Sequence, residues 1–189
     1  MRKLKLQMQV TIDGFVSTGP NDEQKWVTWA WDEIKHDVLS RMDSSDTLII
    51  GRKLAVDFIP YWEAVAKDPK DAMYDLAIHN VRLRKIIFSK TLQNADWKNT
   101  EIETGDLVDE VNNLKRQAGK DIFVCGGSSF VSELTSHGLI DEYYFYINPV
   151  AIGKGDQIFN QINDFARLKL IKSVGYDSGL VLVHYEQRR

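Results

Sequence analysis

Leu4, Leu6, Met8, Val10 and Ile12 alternate with Lys3, Lys5, Gln7, Gln9 and Thr11. A period of two predicts a strand with one buried face. The pattern stops at the turn signal Asp13-Gly14, and a polar loop runs from Ser17 to Gln24. Trp31, Ile34, Val38, Leu39 and Met42 then fall at helical spacing, with Asp32 and Glu33 in the first turn, where carboxylates complement the helix dipole. Thr47 to Ile50 and Ile86 to Phe88 are short apolar runs of the kind buried on both faces of a parallel sheet. Between them the pattern predicts a short helix over Leu54 to Ile59 stopped by Pro60, with Tyr61-Trp62 in the connection. A second helix starts near Pro69 and Asp71 and turns Met73, Leu76 and Ala77 inward.

Leu107, Val111, Leu114 and Ala118 define a further helix closed by Gly119. The apolar run Ile122-Phe123-Val124-Cys125 leads straight into Gly126-Gly127, after which Ser128 or Ser129 is placed to cap a helix. That helix carries Phe130, Val131 and Leu134 on one face and ends near Gly138. Tyr143 to Ile147 reads as a strand ending near Pro149, and a Gly153-Lys154-Gly155 loop follows. Leu168 to Lys172 and Leu180 to Tyr185 pair as an antiparallel hairpin across Tyr176-Asp177-Ser178-Gly179. Strands alternating with helices and then strands alone predict an α/β fold with a mostly parallel central sheet and an antiparallel C-terminal hairpin. The length of 189 residues suits a single domain over 1–189.

Composition narrows the partners. Hydrophobic residues make up 43% and charged residues 27%, with a formal net charge of -3. No basic face stands out, which argues against nucleic acid as the main partner. No apolar run approaches the roughly 18 residues of a membrane span, and the N-terminus lacks a signal-peptide core. A single cysteine, Cys125, excludes an internal disulfide and fits a reducing, cytoplasmic setting. Tyr143 to Ile147 has large apolar or aromatic side chains on both faces, from which an exposed patch and a homodimer are expected.

Three predicted strand ends carry groups that suit an anion: Gly51-Arg52, Ser89-Lys90-Thr91 and Gly126-Gly127-Ser128. In a parallel sheet they share the carboxyl edge, where open α/β sheets bind ligands. Arg52 offers a guanidinium fork, Ser89 a hydroxyl, and Gly126-Gly127 a close backbone approach beside a helix start. The set suits a ligand with well-separated phosphates; the alternative is a tight turn at the glycines and solvated charges at Arg52 and Lys90. Trp26, Trp29 and Trp31 read as core anchors by default, or as walls of a pocket for a flat ring. His36, His79, His137 and His184 lack ligand spacing, so no metal site is expected. Ser128 and Ser129 lack a nucleophile elbow, the Gly51 region lacks a P-loop ending, and Cys125 in its apolar strand reads as packing.

In this order and spacing, Thr11-Ile12-Asp13-Gly14-Phe15, Leu48-Ile49-Ile50-Gly51-Arg52, Ile87-Phe88-Ser89-Lys90-Thr91-Leu92, Val124-Cys125-Gly126-Gly127-Ser128, Ile140-Asp141-Glu142-Tyr143, Asn148-Pro149-Val150 and Gly153-Lys154-Gly155 resemble the dihydrofolate reductase-like superfamily. The closer resemblance is to the reductase domain of bacterial riboflavin biosynthesis, the RibD C-terminal family, over essentially the whole chain. It implies a three-layer fold and an NADPH-dependent reductase of a small heterocycle. A riboflavin-pathway pyrimidine leads as substrate, a pterin is the alternative, and a non-catalytic nucleotide-binding module is the third reading. It also implies NADPH contacts at Gly51, Arg52, Ser89, Lys90, Gly126, Gly127 and Ser128, and a homodimer. Asp13 would border the substrate cleft, and Asp32 or Glu33 would stand where a pterin reductase keeps its carboxylate. One position departs: dihydrofolate reductases usually carry a threonine two residues after the arginine, and here that position is Leu54, which has no hydroxyl. The zinc-deaminase signature of a bifunctional riboflavin enzyme is absent.

Overall fold

Leu4, Leu6, Met8 and Val10 are buried, as their alternation requires, and form one face of strand β1 (Leu4–Thr11). The computed structural model, which describes residues 1–188, pairs β1 in parallel with two later strands, β6 (Asp121–Val124) and β7 (Glu142–Asn148). Ile12 leaves the pattern: it is 64% exposed, because the Gly14 amide donates to the Thr11 carbonyl and turns the chain one residue early. Thr11 is buried instead, its hydroxyl accepting from the Phe15 amide. After the short strand β2 (Phe15–Ser17), helix α1 (Trp31–Asp43) delivers the chain to β3 (Ser45–Gly51), beyond the place that β6 will fill.

Pro60 does not stop the next helix. α2 (Arg52–Val65) runs through it and includes Tyr61 and Trp62. Proline removes one amide bond, which would have gone to the Val56 carbonyl. Val56 and Pro60 are both exposed, so water can take that carbonyl and the helix continues. β4 (Arg84–Phe88) follows the expected pattern, whereas α3 (Tyr74–Arg82) starts later than the Pro69–Asp71 signal suggested, with Met73 as its N-cap. β5 (Thr100–Glu103) was not expected: only Ile102 is apolar, which is enough for an edge strand covered on one side. α4 (Leu107–Arg116) then leads to β6, and α5 (Ser128–Ser136) to β7. α5 starts one residue earlier than a serine cap would give; Gly127 is the N-cap, and Ser128 and Ser129 lie inside the helix.

The eight-stranded sheet has the order β5-β4-β3-β6-β1-β7-β10-β9. The hairpin of β9 (Leu168–Gly175) and β10 (Val181–Gln187) closes it, with β10 antiparallel to both neighbours. A second, two-stranded sheet joins β2 to β8 (Asp156–Gln157). Apolar residues of α4 and α5 pack on one sheet face with Leu4, Leu6, Ile122 and Val124. Those of α1, α2 and α3 pack on the other with Leu48, Ile50, Ile87 and Phe123. The fold therefore has three layers.

β7 corrects one expectation. Tyr143 and Tyr146 are fully buried and Phe145 nearly so, because β7 lies between β1 and β10 under both helical layers. Its aromatic side chains form core, not the exposed patch that suggested a homodimer. The exposed large apolar residues lie elsewhere, among them Trp29, Tyr61, Phe165, Leu170 and Ile171. Among the described residues no helix is long and apolar enough to cross a membrane, and no group of acidic, His and Cys residues could hold a metal ion.

Beside this apolar packing, α1 also covers a polar cluster on the sheet. Buried Arg41 donates to Gln7 Oε1 (2.8 Å), Asp37 Oδ2 (2.7 Å) and the Tyr146 hydroxyl (2.7 Å), and its guanidinium lies 4.1 Å above the Tyr144 ring. Tyr146 also donates to Asp37, at 2.9 Å. Burial opposes the Asp37 charge, but Arg41 and Tyr146 outweigh it and hold the carboxyl below its ordinary range. A depressed folded-state pKa gives stability that is present above the unfolded value and lost as pH falls through the folded one. Thermal melts from about pH 5 down to about pH 3 should therefore show a shallower acid decline in Asp37→Asn than in the unaltered protein. Parallel declines would mean that Asp37 does not contribute.

Candidate active site

The carboxyl ends of β3, β4 and β6 lie side by side, with Gly51 opposite Phe88 in the parallel register. α2 leaves β3 on one side of the sheet and α5 leaves β6 on the other, yet their first turns meet. A Cβ on Gly51 would lie 3.0 Å from Phe130 Cβ of α5, and one on Gly126 would lie 3.0 Å from Leu54 Cδ2 of α2. Gly126 has φ +144, a conformation that side chains disfavour. The Gly126-Gly127 peptide is cis. Leu54, which stands where a phosphate-binding threonine was expected, packs against this glycine bend.

These two helix starts differ electrostatically from the others. α2 and α5 have glycine N-caps, no capping side chain and no acidic residue in the first turn. α4 is capped by its own Asp106, which accepts from the Val108 and Asp109 amides, and α1 and α3 have acids in their first turns. Free amides at a helix start carry a partial positive charge and attract anions. Arg52, exposed in the first turn of α2, makes no ion pair among the described residues. Ser89 is buried one residue past β4; its hydroxyl oxygen accepts from the Thr91 and Leu92 amides at 3.2 and 2.8 Å. Its hydroxyl proton is left to donate. Lys90 donates to the carbonyls of Thr104 and Gly105, so it pins the loop before α4. The structure thus brings together Gly51, Arg52, Gly126, Gly127 and Ser128, with Ser89 and Lys90 on the adjoining strand end.

A cavity of about 770 Å³ opens beside this edge between α1, α2, α3 and the sheet. Trp29, Trp31, Phe58, Tyr61 and Trp62 line it, together with Met8, Leu54 and Cys125. Trp29 and Trp31 of the three clustered tryptophans therefore line a pocket, and of these Trp31 also packs against the core, as the default reading had it. The loop that carries Trp29 is pinned to β7: buried Asn148 accepts from the Thr28 amide at 2.6 Å and donates to Gln9 Oε1 at 2.9 Å. Burial pushes the Cys125 thiol up to about 12, so it stays protonated in the wall.

The carboxylates singled out in the sequence lie outside this cavity. Asp13 lines a separate hollow of about 370 Å³ with Phe145, Phe159 and Val183. It accepts from the Thr11 hydroxyl (2.5 Å) and the Ile152 and Gly153 amides (3.1 and 2.8 Å), and the Thr11 hydroxyl is the main cause that lowers its pKa. Asp32 is exposed on α1 and lines neither hollow. Glu33 accepts from the Ser178 amide and hydroxyl and so ties α1 to the β9–β10 turn. Asp22, Glu23, Asp57 and Asn80, which do line the large cavity, were not singled out. No spacing rule marks them, because they come from a loop and two helices.

A doubly covered parallel sheet with a glycine-lined, anion-receptive carboxyl edge is the architecture of the dihydrofolate reductase-like superfamily. Within it, this chain belongs to the RibD C-terminal domain family, whose model matches residues 2–182. The chain is 33% identical over 188 residues to the uncharacterised protein YyaP of Bacillus subtilis (strain 168), covering 97% of this chain and 94% of that protein. Its fold is similar to a putative riboflavin biosynthesis protein from Shewanella sp. PV-4, with TM-score 0.73 at 17% identity over 99% of both chains. A diaminohydroxyphosphoribosylaminopyrimidine deaminase/5-amino-6-(5-phosphoribosylamino)uracil reductase from Thermotoga maritima is similar too, with TM-score 0.68 and 18% identity over 99% of this chain and 57% of that one.

Proposed function

We propose that this chain is an NADPH-dependent reductase that delivers hydride to a small heterocycle held in the aromatic cavity. The observation that carries the reading is the meeting of two uncapped, acid-free helix starts beside an unpaired Arg52, next to a ring-sized cavity. The residues fit a dinucleotide phosphate. The α2 and α5 amides would take phosphate oxygens, Arg52 would supply the charge, and Ser89 would donate its hydroxyl. When bound, NADPH supplies a hydride to an electrophilic carbon and is left oxidised, while a solvent proton completes the reduced product. The aromatic walls orient a flat ring and exclude water, and Leu54 and the glycine bend lie between that ring and the phosphate edge.

Membership of the RibD C-terminal family makes a pyrimidine of the 5-amino-6-(5-phosphoribosylamino)uracil type the first substrate to try. NADPH consumption by the purified protein should be followed against pyrimidine ribitylamine precursors, pterins and small carbonyl compounds. Turnover on a heterocycle is expected; cofactor binding with no turnover on any of them would favour a non-catalytic nucleotide-binding module.

The pterin alternative makes a separate demand. A carboxylate of α1 would have to reach the ring, and no acidic residue of α1 lines the cavity. Asp32→Asn and Glu33→Gln should therefore leave most of the turnover and all of the NADPH affinity. A loss of roughly 10²–10⁴-fold in either variant, typical of an acid–base group, with the fold intact, would favour a pterin reductase.

A further inference from the structure

Gln7 and Gln9 stand two residues apart on the face of β1 that looks toward α1, and both half-buried side chains line the large cavity. Their partners fix which end of each amide is which. The Gln7 oxygen accepts from Arg41 Nε at 2.8 Å, and a guanidinium can only donate. The Gln9 oxygen accepts from Asn148 Nδ2 at 2.9 Å. Asn148 is oriented in turn by the backbone. Its oxygen accepts from the Thr28 amide at 2.6 Å, and its nitrogen donates to the carbonyls of Val10 and Tyr146, both at 3.2 Å. Both glutamines therefore commit their oxygens to anchors and keep their NH2 groups as donors.

Those donors are available. Among the described residues neither nitrogen has a hydrogen-bond partner, and neither is sealed by packing as Trp31 Nε1 and Asn80 Oδ1 are. The acids Glu23 and Asp57 stand exposed at the cavity rim, whereas the glutamines belong to the sheet beneath it. Two residues of strand rise set the Gln7 and Gln9 backbones about 6.5–7 Å apart. The pair suits two acceptors set apart on one ring edge better than two adjacent ring atoms. A ligand that displaces solvent from these amides must return the bonds or bind more weakly.

We propose that Gln7 and Gln9 are the residues that select the ring. They read one edge of a flat heterocycle through two acceptors, as the paired carbonyls of a 2,4-dioxo ring provide, and they reject a ring with an exocyclic amino group at either place. There a donor would face a donor. The assignment rests on the reading above that a heterocycle occupies this cavity, but its binding test needs neither NADPH nor turnover.

Lumazine and pterin are the probes. These 2,4-dioxo and 2-amino-4-oxo pteridines differ only in the group at carbon 2 and the ring proton that goes with it. Isothermal titration of the unaltered protein should show lumazine binding at least about tenfold more tightly, as loss of one hydrogen bond at a polar site gives. Gln7→Glu and Gln9→Glu each keep the anchored oxygen and replace the free donor with an acceptor. In each variant the preference should reverse, with pterin about tenfold tighter than lumazine. A purely structural role would weaken both probes alike, and two variants keep the test open should one fail to fold. Equal or tighter binding of pterin by the unaltered protein would overturn the proposal. So would an unchanged ratio in the folded variants, or no lumazine binding below millimolar concentration. NADPH binding without lumazine binding would leave the reductase reading standing and reject this assignment. Selective lumazine binding without NADPH binding would do the reverse.

Discussion

Arg52→Ala should weaken NADPH by about 1.5–3 kcal/mol, roughly ten- to a hundredfold, and NADH far less. The two cofactors differ by one phosphate, and Arg52 is an exposed cation at the α2 start with no carboxylate to satisfy it, beside the likewise exposed Lys53. Because no ion pair is broken in the folded protein, the variant should melt with the wild type, and the affinity change can be read without correction for unfolding. Isothermal titration of both cofactors against both proteins measures it. Equal affinity of the unaltered protein for NADPH and NADH would remove Arg52 from the phosphate site. Lys90 would be a weaker target, since its ammonium already holds the carbonyls of Thr104 and Gly105.

The largest effect on stability is expected at Lys85. This lysine is 2% exposed in β4, and its ammonium donates to the carbonyls of Val81 (3.1 Å), Leu83 (3.0 Å) and Lys98 (3.1 Å). It therefore ties the α3–β4 corner to the segment that leads into β5. Lys85→Met keeps most of the volume but leaves three carbonyls without their donor, and should cost about 3–5 kcal/mol. For a chain of this size that lowers the melting temperature by roughly 6–20 °C. Urea unfolding would contradict this if the variant lost less than about 1 kcal/mol.

The same lysine predicts a pH trend. Burial pushes its pKa from 10.5 down to about 8. Between those values the unfolded chain binds more protons than the folded one, so the contribution of Lys85 to stability rises with pH across that window. The trend should be missing from Lys85→Met, and urea midpoints across the window would reveal it.

How much of this was legible in the residues varies from one element to the next. β1, β3, β6 and α1 follow from short-range patterns, because the spacing of apolar side chains and the period of the backbone are local properties. The glycine bend at Gly126-Gly127 was legible for the same reason. Pro60 misled because its effect depends on whether the orphaned carbonyl faces water, and β5 was missed because an edge strand needs only one covered side. The aromatic residues of β7 were read as an exposed patch, because a short aromatic run carries no mark of how many layers cover it. Only the strand order, which puts β1 on one side and β10 on the other, decided for core.

The sequence by itself determined the three-layer α/β class, the family, and the set of strand ends at which phosphate-seeking residues stand. Tertiary structure alone decided which side chains share a space. Trp31, Asn80 and Asp57 come from three helices and line one cavity only because those helices pack over one sheet face. Asp13 and Asp32, the carboxylates most visible along the chain, were taken up elsewhere, one by backbone amides of the Ile152–Gly153 loop and the other by solvent. The physical reason is the range of the interactions. Periodicity and capping act over a few residues, whereas the electrostatics and hydrogen-bond satisfaction of a cavity depend on groups far apart in the chain.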